Sequence, residues 1–229
     1  MKEQMIKKHL REVFLFKELS EEELQPIVDI SSLRTYKCKS FVFLQDEPLD
    51  RVFFIHSGKV KIQKTDATGK EQIVAVLQAG EMFPHAGFFR RGVFPAHAEI
   101  IETAHLIVTP ISDFEKILIQ YPELCIKLFT VLGEKIVDLQ NRLEEQILHD
   151  TYEQIIMLLL RLCKSNGIQV NDTYTLKTQF TNRELANMIG SSRETVSRTM
   201  SQLKRRELID LDENGCYIID PNALKAEIL

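Results

Sequence analysis

Arg193, Glu194, Ser197 and Arg198 are spaced so that, on a helix, four hydrogen-bonding side chains share one edge. Arginine pairs bidentately with a guanine edge in the major groove, glutamate accepts from cytosine N4, and serine bonds either way, so the set has the chemistry of base readout. Thr181, Arg183, Ser192 and Lys204 complete the candidate DNA contacts. Across residues 181–206, Arg183, Arg193, Arg198, Lys204, Arg205 and Arg206 face only Glu184 and Glu194, leaving a local charge of plus four that attracts phosphate.

Two short helices must position these groups. Thr181-Asn182-Arg183-Glu184 reads as a capping box, followed by Leu185, Met188 and Ile189 on one apolar face. Gly190 permits a sharp turn, and Ser191-Ser192-Arg193-Glu194 reads as a second capping box opening the next helix, with Val196, Met200 and Leu203 turned inward. The charges alone would also suit an ordinary solvated helix, but two caps around a glycine turn favour a DNA-reading pair. Beyond it, apolar runs at 208–211 and 217–219 flank Asn214-Gly215, the signal of a hairpin wing whose two central residues take positive φ.

The chain has 229 residues, 44% of them hydrophobic, and a formal net charge of -4, which averages away the basic segment. No apolar run reaches membrane-spanning length, the N-terminus lacks a secretory segment, and a cytoplasmic location is expected. Cys38, Cys125, Cys163 and Cys216 form no metal-type spacing and are expected to be reduced, mostly buried thiols, a redox sensor being the alternative.

Upstream, Ser20 caps a short acidic helix start, and from Leu33 to Pro110 short β-rich runs alternate with turns. These are 41–44, 52–55, 60–62, 73–77 and 106–108, with Gly58, Gly69 and Gly80 between runs, as in an antiparallel sandwich or barrel. No nucleophile elbow, metal motif or phosphate-cradling loop appears there, so no enzyme is expected. Helical periodicity returns at Ser112, breaks at Tyr121-Pro122, and resumes from Glu123 to about His149. Leu128, Leu132, Ile136, Leu139, Leu143 and Ile147 form a near-heptad stripe on this helix, roughly 40 Å long at 1.5 Å per residue. Packing on the chain's own barrel could absorb part of it. A homodimer seam is favoured, since paired recognition helices about 34 Å apart reach successive major-groove faces.

Together these residues resemble the Crp/Fnr family of bacterial transcription regulators over residues 10–224. The likeness rests on Gly58, Gly69 and Gly80-Glu81 in the barrel, the long helix, the His149-Asp150 junction and the SSRETVSR segment. It implies an α+β chain: a cyclic-nucleotide-binding-like jelly roll with flanking helices (1–122), a dimerisation helix (123–149) and a winged helix-turn-helix domain (150–229). It further implies a homodimer on palindromic promoter DNA, with RNA polymerase as a further partner. Arg193, Glu194 and Arg198 match the family's base-reading positions, Ser197 matches the Fnr branch, and Arg193 resembles Crp-type readers, implying TGTGA-like half-sites.

The effector region departs from the family. Relatives that bind cyclic AMP carry Gly-Glu-Leu and then Arg-Ser; here the positions read Pro84-His85-Ala86 and Pro95-Ala96. Losing both charged partners removes bonds of roughly 1.5–3 kcal/mol each, so cyclic AMP is not expected. Arg90, with Arg91, could offer another anion a site, although a solvated loop suits them too. His85, His97 and His105 lack ligand spacing for metal or haem, and His85 and His97 are expected to fill a shrunken pocket. No cofactor is expected. The branch resembles Gram-positive regulators of anaerobic or arginine catabolism, of the arginine-deiminase regulator type. The remaining alternatives are a regulator answering to a small anion, haem or thiol redox state, or a nucleotide-binding regulatory subunit.

Overall fold

The computed structural model describes residues 2–89 and 92–228, in two compact units that divide between Val137 and Asp138. In the N-terminal unit, α1 (Lys2–Leu10) and α2 (Glu21–Ile30) precede six strands: β1 (Ser32–Tyr36), β2 (Phe41–Phe43), β3 (Arg51–Thr65), β4 (Glu71–Leu77), β5 (Met82–Phe83) and β6 (His97–Pro110). Ser20 caps α2 in a full capping box with Glu23. The helix α1 was not visible in the sequence pattern.

All strand pairs are antiparallel, in the order β1-β6-β3-β4, with β2 also on β6 and β5 also on β3. The long pair β3 and β6 organises the unit, because its side chains are apolar on both faces. Phe53, Ile55, Leu106 and Val108 turn into a barrel core with Phe43, Phe83, Phe94 and Ile100. Val52, Phe54 and Ile107 turn the other way, onto Leu10, Phe16, Leu24, Ile27 and Phe114. Gly58 does not separate two strands as expected; it lies inside β3 among register shifts, at φ +86°. A Cβ there would stand 2.4 Å from the Thr103 carbonyl oxygen, so glycine lets β3 bend against β6.

After α3 (Ile111–Gln120), Pro122 opens α4 (Pro122–Leu148), which crosses the division between the units. Its first turns complete the N-terminal core: Leu124 and Leu128 are buried there, and Leu132 packs against it. No helix among the described residues is long and apolar enough to cross a membrane.

The C-terminal unit holds the end of α4, then α5 (Thr151–Asn166), β7 (Gly167–Val170), β8 (Thr173–Leu176), α6 (Asn182–Ile189), α7 (Arg193–Arg205), β9 (Ile209–Leu211), β10 (Tyr217–Ile219) and α8 (Pro221–Ala226). The strands form a sheet in the order β7-β8-β10-β9. Asp150 caps α5 in a capping box with Glu153, and the Gln154 amide donates to the His149 carbonyl at 2.8 Å, closing the end of α4. Arg161 pairs with Glu145, fixing α5 to the last turns of α4.

Of the thiols only Cys163 is buried; burial pushes it up to about 11. Cys125 and Cys216 are half-buried, and Cys38 is exposed because it sits just past an edge strand, its thiol donating to the Ile101 carbonyl at 3.2 Å. The expectation of mostly buried thiols therefore does not hold.

Candidate nucleic-acid interface

The helix pair is set from its ends. Thr181 caps α6, its hydroxyl oxygen accepting from Glu184 N while the Glu184 carboxylate accepts from Thr181 N at 2.9 Å. Gly190 ends α6 in the left-handed region at φ 71°. The second start differs from the expected capping box: the cap is Ser192, not Ser191, and its Oγ accepts from Thr195 N at 3.1 Å without help from Glu194. Glu194 is thereby left to face solvent.

Leu185, Ala186 and Ile189 of α6 are buried, as are Val196, Thr199, Met200 and Leu203 of α7. The opposite face of α7 carries Arg193, Glu194, Ser197, Arg198, Ser201, Gln202 and Arg205 along one shallow, open surface. Sequence reading missed Ser201, Gln202 and the facing of Arg205, although steps of three and four from Arg198 place them there. Among the described residues no ion pair ties up Arg193, Glu194, Arg198, Lys204 or Arg205. Arg206 is different. It pairs with Glu227 and donates to the Tyr152 hydroxyl at 3.2 Å, holding α7 to α5 and to the chain end, and so drops out of the expected plus-four cluster.

Arg183 is exposed on the first turn of α6, and Lys204 is exposed at the far end of α7 with its ammonium 6.0 Å from the Tyr217 ring centroid. Thr181 and Ser192 lie at the helix starts, but both hydroxyls already serve as caps. The wing is present with a different turn: only Gly215 of the Asn214-Gly215 pair has positive φ. Gly215 N donates to the Asp212 carbonyl, and the Asp212 carboxylate accepts from Asn214 N and Cys216 N, three donors on one residue that the sequence pair alone does not signal.

The exposed apolar face of α4 is rotated from the expected stripe. Leu128 is 2% exposed within its own chain's core, so it and Leu132 leave the set. Ile136, Leu139, Leu143 and Ile147 are exposed as expected, joined by Ile126, Phe129, Val137 and Leu148. Ile126, Phe129, Gly133, Ile136, Gln140, Leu143 and Ile147 follow alternate steps of three and four, the spacing of a coiled-coil seam.

In the barrel, four phenylalanines occupy the core: Phe43 stacks on Phe94 at 3.6 Å, and Phe53 on Phe83 at 5.1 Å. Ala96 is buried, whereas Ala86 and Pro95 are exposed and Pro84 is half-buried. His85 is desolvated and lies near Lys135, which together push it down to about 4, so it is neutral. His97 does not fill this space. It sits at the start of β6 on the face opposite Ala98, its Nδ1 accepting from Gln45 N at 3.0 Å, because strand alternation turns it outward. Arg90 and Arg91 lie outside the described residues.

Comparison with known proteins adds family models for a cyclic nucleotide-binding domain over residues 33–121 and a Crp-like helix-turn-helix domain over residues 153–227. The chain is 25% identical to the global nitrogen regulator of Synechocystis over 93% of both chains. It is 23% identical to the anaerobic regulatory protein of Bacillus subtilis over 88% of this chain and 85% of that one. The solved structure of FixK2 from Bradyrhizobium japonicum superposes with a TM-score of 0.75 at 19% identity, covering 86% of this chain and 96% of that one.

Proposed function

The chain belongs to the Crp/Fnr family of transcription regulators and carries that family's helix-turn-helix DNA-binding domain; from this premise we propose that it acts in the cytoplasm as a homodimer reading an inverted repeat of TGTGA-like half-sites, without cyclic AMP as effector. The observation that carries the reading is the α7 face, where Arg193, Glu194, Ser197 and Arg198 stand solvent-facing at the helix start. Arg193 and Arg198 serve guanine edges, Glu194 a cytosine amine, and Ser197 either base edge. Arg183, Lys204 and Arg205 serve phosphates, which position the helix without reading sequence. Thr181 and Ser192 act on DNA through the helix starts they cap, where backbone N–H groups and the helix dipole favour phosphate.

Pairing along Phe129, Ile136, Leu143 and Ile147 supplies the two-fold symmetry that an inverted repeat requires. Against cyclic AMP stand Pro84, His85, Pro95 and Ala96 where relatives that bind it carry charged contacts, together with four phenylalanines packed in the barrel core. The likeness to the anaerobic regulatory protein of Bacillus subtilis supports a role in anaerobic regulation.

Selection of bound duplexes from random sequence, using ligand-free protein, tests this directly. An enriched inverted TGTGA-like repeat is the expected result; an unrelated or single half-site motif refutes the reading. Calorimetric titration with cyclic AMP should give no heat of binding, and micromolar affinity would refute that part.

A further inference from the structure

Away from the α7 face, three side chains converge that the proposed DNA readout does not use: His9 in the last turn of α1, Glu12 just beyond it, and His56 on β3. One donor atom from each lies within 4.8 Å of the other two. Glu12 Oε2 stands 2.9 Å from His56 Nδ1, and the two imidazoles stack with centroids 3.3 Å apart. His9 is 8% exposed, and its Nδ1 is buried without a hydrogen-bond partner.

A His–Glu hydrogen bond with a stacked second ring accounts for Glu12 and His56 but leaves that nitrogen unsatisfied, an arrangement folded proteins avoid. A cation shared by the three groups and bound through His9 Nδ1 would satisfy it. We infer that His9, Glu12 and His56 form a binding site for a divalent transition metal of the zinc class, joining α1 to strand β3. Two imidazole nitrogens and one carboxylate oxygen suit such an ion, with the remaining position open to water. The surroundings include His105, whose ring lies 6.5 Å from that of His56 and whose Nδ1 is 2.9 Å from Ser57 Oγ.

The ligands span a helix and a strand of the effector-domain half, so occupancy would tighten the N-terminal unit by a route unrelated to a nucleotide. The inference is independent of the DNA reading. The test uses full-length protein stripped with chelator, titrated with Zn2+ by calorimetry and with Co2+ by visible absorption. One ion per chain, a Co2+ d–d band, and at least ten-fold weaker binding in Glu12→Gln and His56→Gln are expected. Glu12 is exposed, so Glu12→Gln should keep the wild-type circular dichroism in chelator and guards against a merely misfolded variant. No saturable binding to wild type, or equal affinity in both variants, overturns the site.

Discussion

At the scale of single residues, the side chains with chemistry fall into those left free by the fold and those it engages. Arg193 is free, so Arg193→Ala should cost about 1–3 kcal/mol on the preferred site and relax one guanine position. Lys204→Ala should instead weaken all sequences alike and reduce the salt dependence by about one phosphate contact, both measurable by fluorescence anisotropy against competitor duplexes. Arg206 shows what composition hides: its charge counts toward the basic segment, but Glu227, twenty-one residues on, claims it. His85 carries a pH prediction. Its folded-state value of about 4 lies below the ordinary 6.5, so as pH falls from 6.5 the unfolded chain takes up the proton first. The stability His85 contributes is therefore complete above that window and drains as pH drops toward 4, by at most about 3 kcal/mol. Urea unfolding of wild type and His85→Gln across this range should show a steeper acid loss in wild type; parallel curves would contradict it.

At the scale of elements, what was legible in the sequence is what local rules encode. The caps at Ser20 and Thr181, the glycine end of α6, the Pro122 break and the apolar inside of α7 all depend on residues within a turn of one another. Non-local geometry was hidden. The bend of β3 at Gly58 is imposed by Thr103 on a strand more than forty residues away, and the wing turn is set by the Asp212 carboxylate rather than by Asn214-Gly215 alone. The hairpin of β7 and β8 went unread even though Asn171-Asp172 joins two alternating runs; the signal was short and adjacent to a strong helix. The His9, Glu12 and His56 cluster was invisible for the same reason as Gly58, since spacing along the chain does not reveal convergence across elements. Two glycine substitutions separate local from non-local constraint. Gly190→Ala meets open space and should lose only about 1 kcal/mol from its positive φ, whereas Gly58→Ala also drives a Cβ into backbone and should lose at least twice that in denaturant unfolding.

At the scale of the whole molecule, α4 divides its apolar residues between two tasks. Leu128 belongs to the chain's own core, so Leu128→Ala should cost about 2–5 kcal/mol in unfolding while leaving the association state unchanged. Leu143 is exposed, so Leu143→Asp should leave a folded chain that sediments as a monomer and has lost specific DNA binding. A dimeric Leu143→Asp protein would remove the proposed seam. The sequence placed a stripe on this helix but could not say which side the barrel would take, because a heptad pattern records apolarity and not the neighbour that covers it. The uncovered side has a consequence for handling the protein. Mass action couples melting to concentration, so a hundred-fold dilution should lower the Tm of wild type while leaving that of Leu143→Asp where it was.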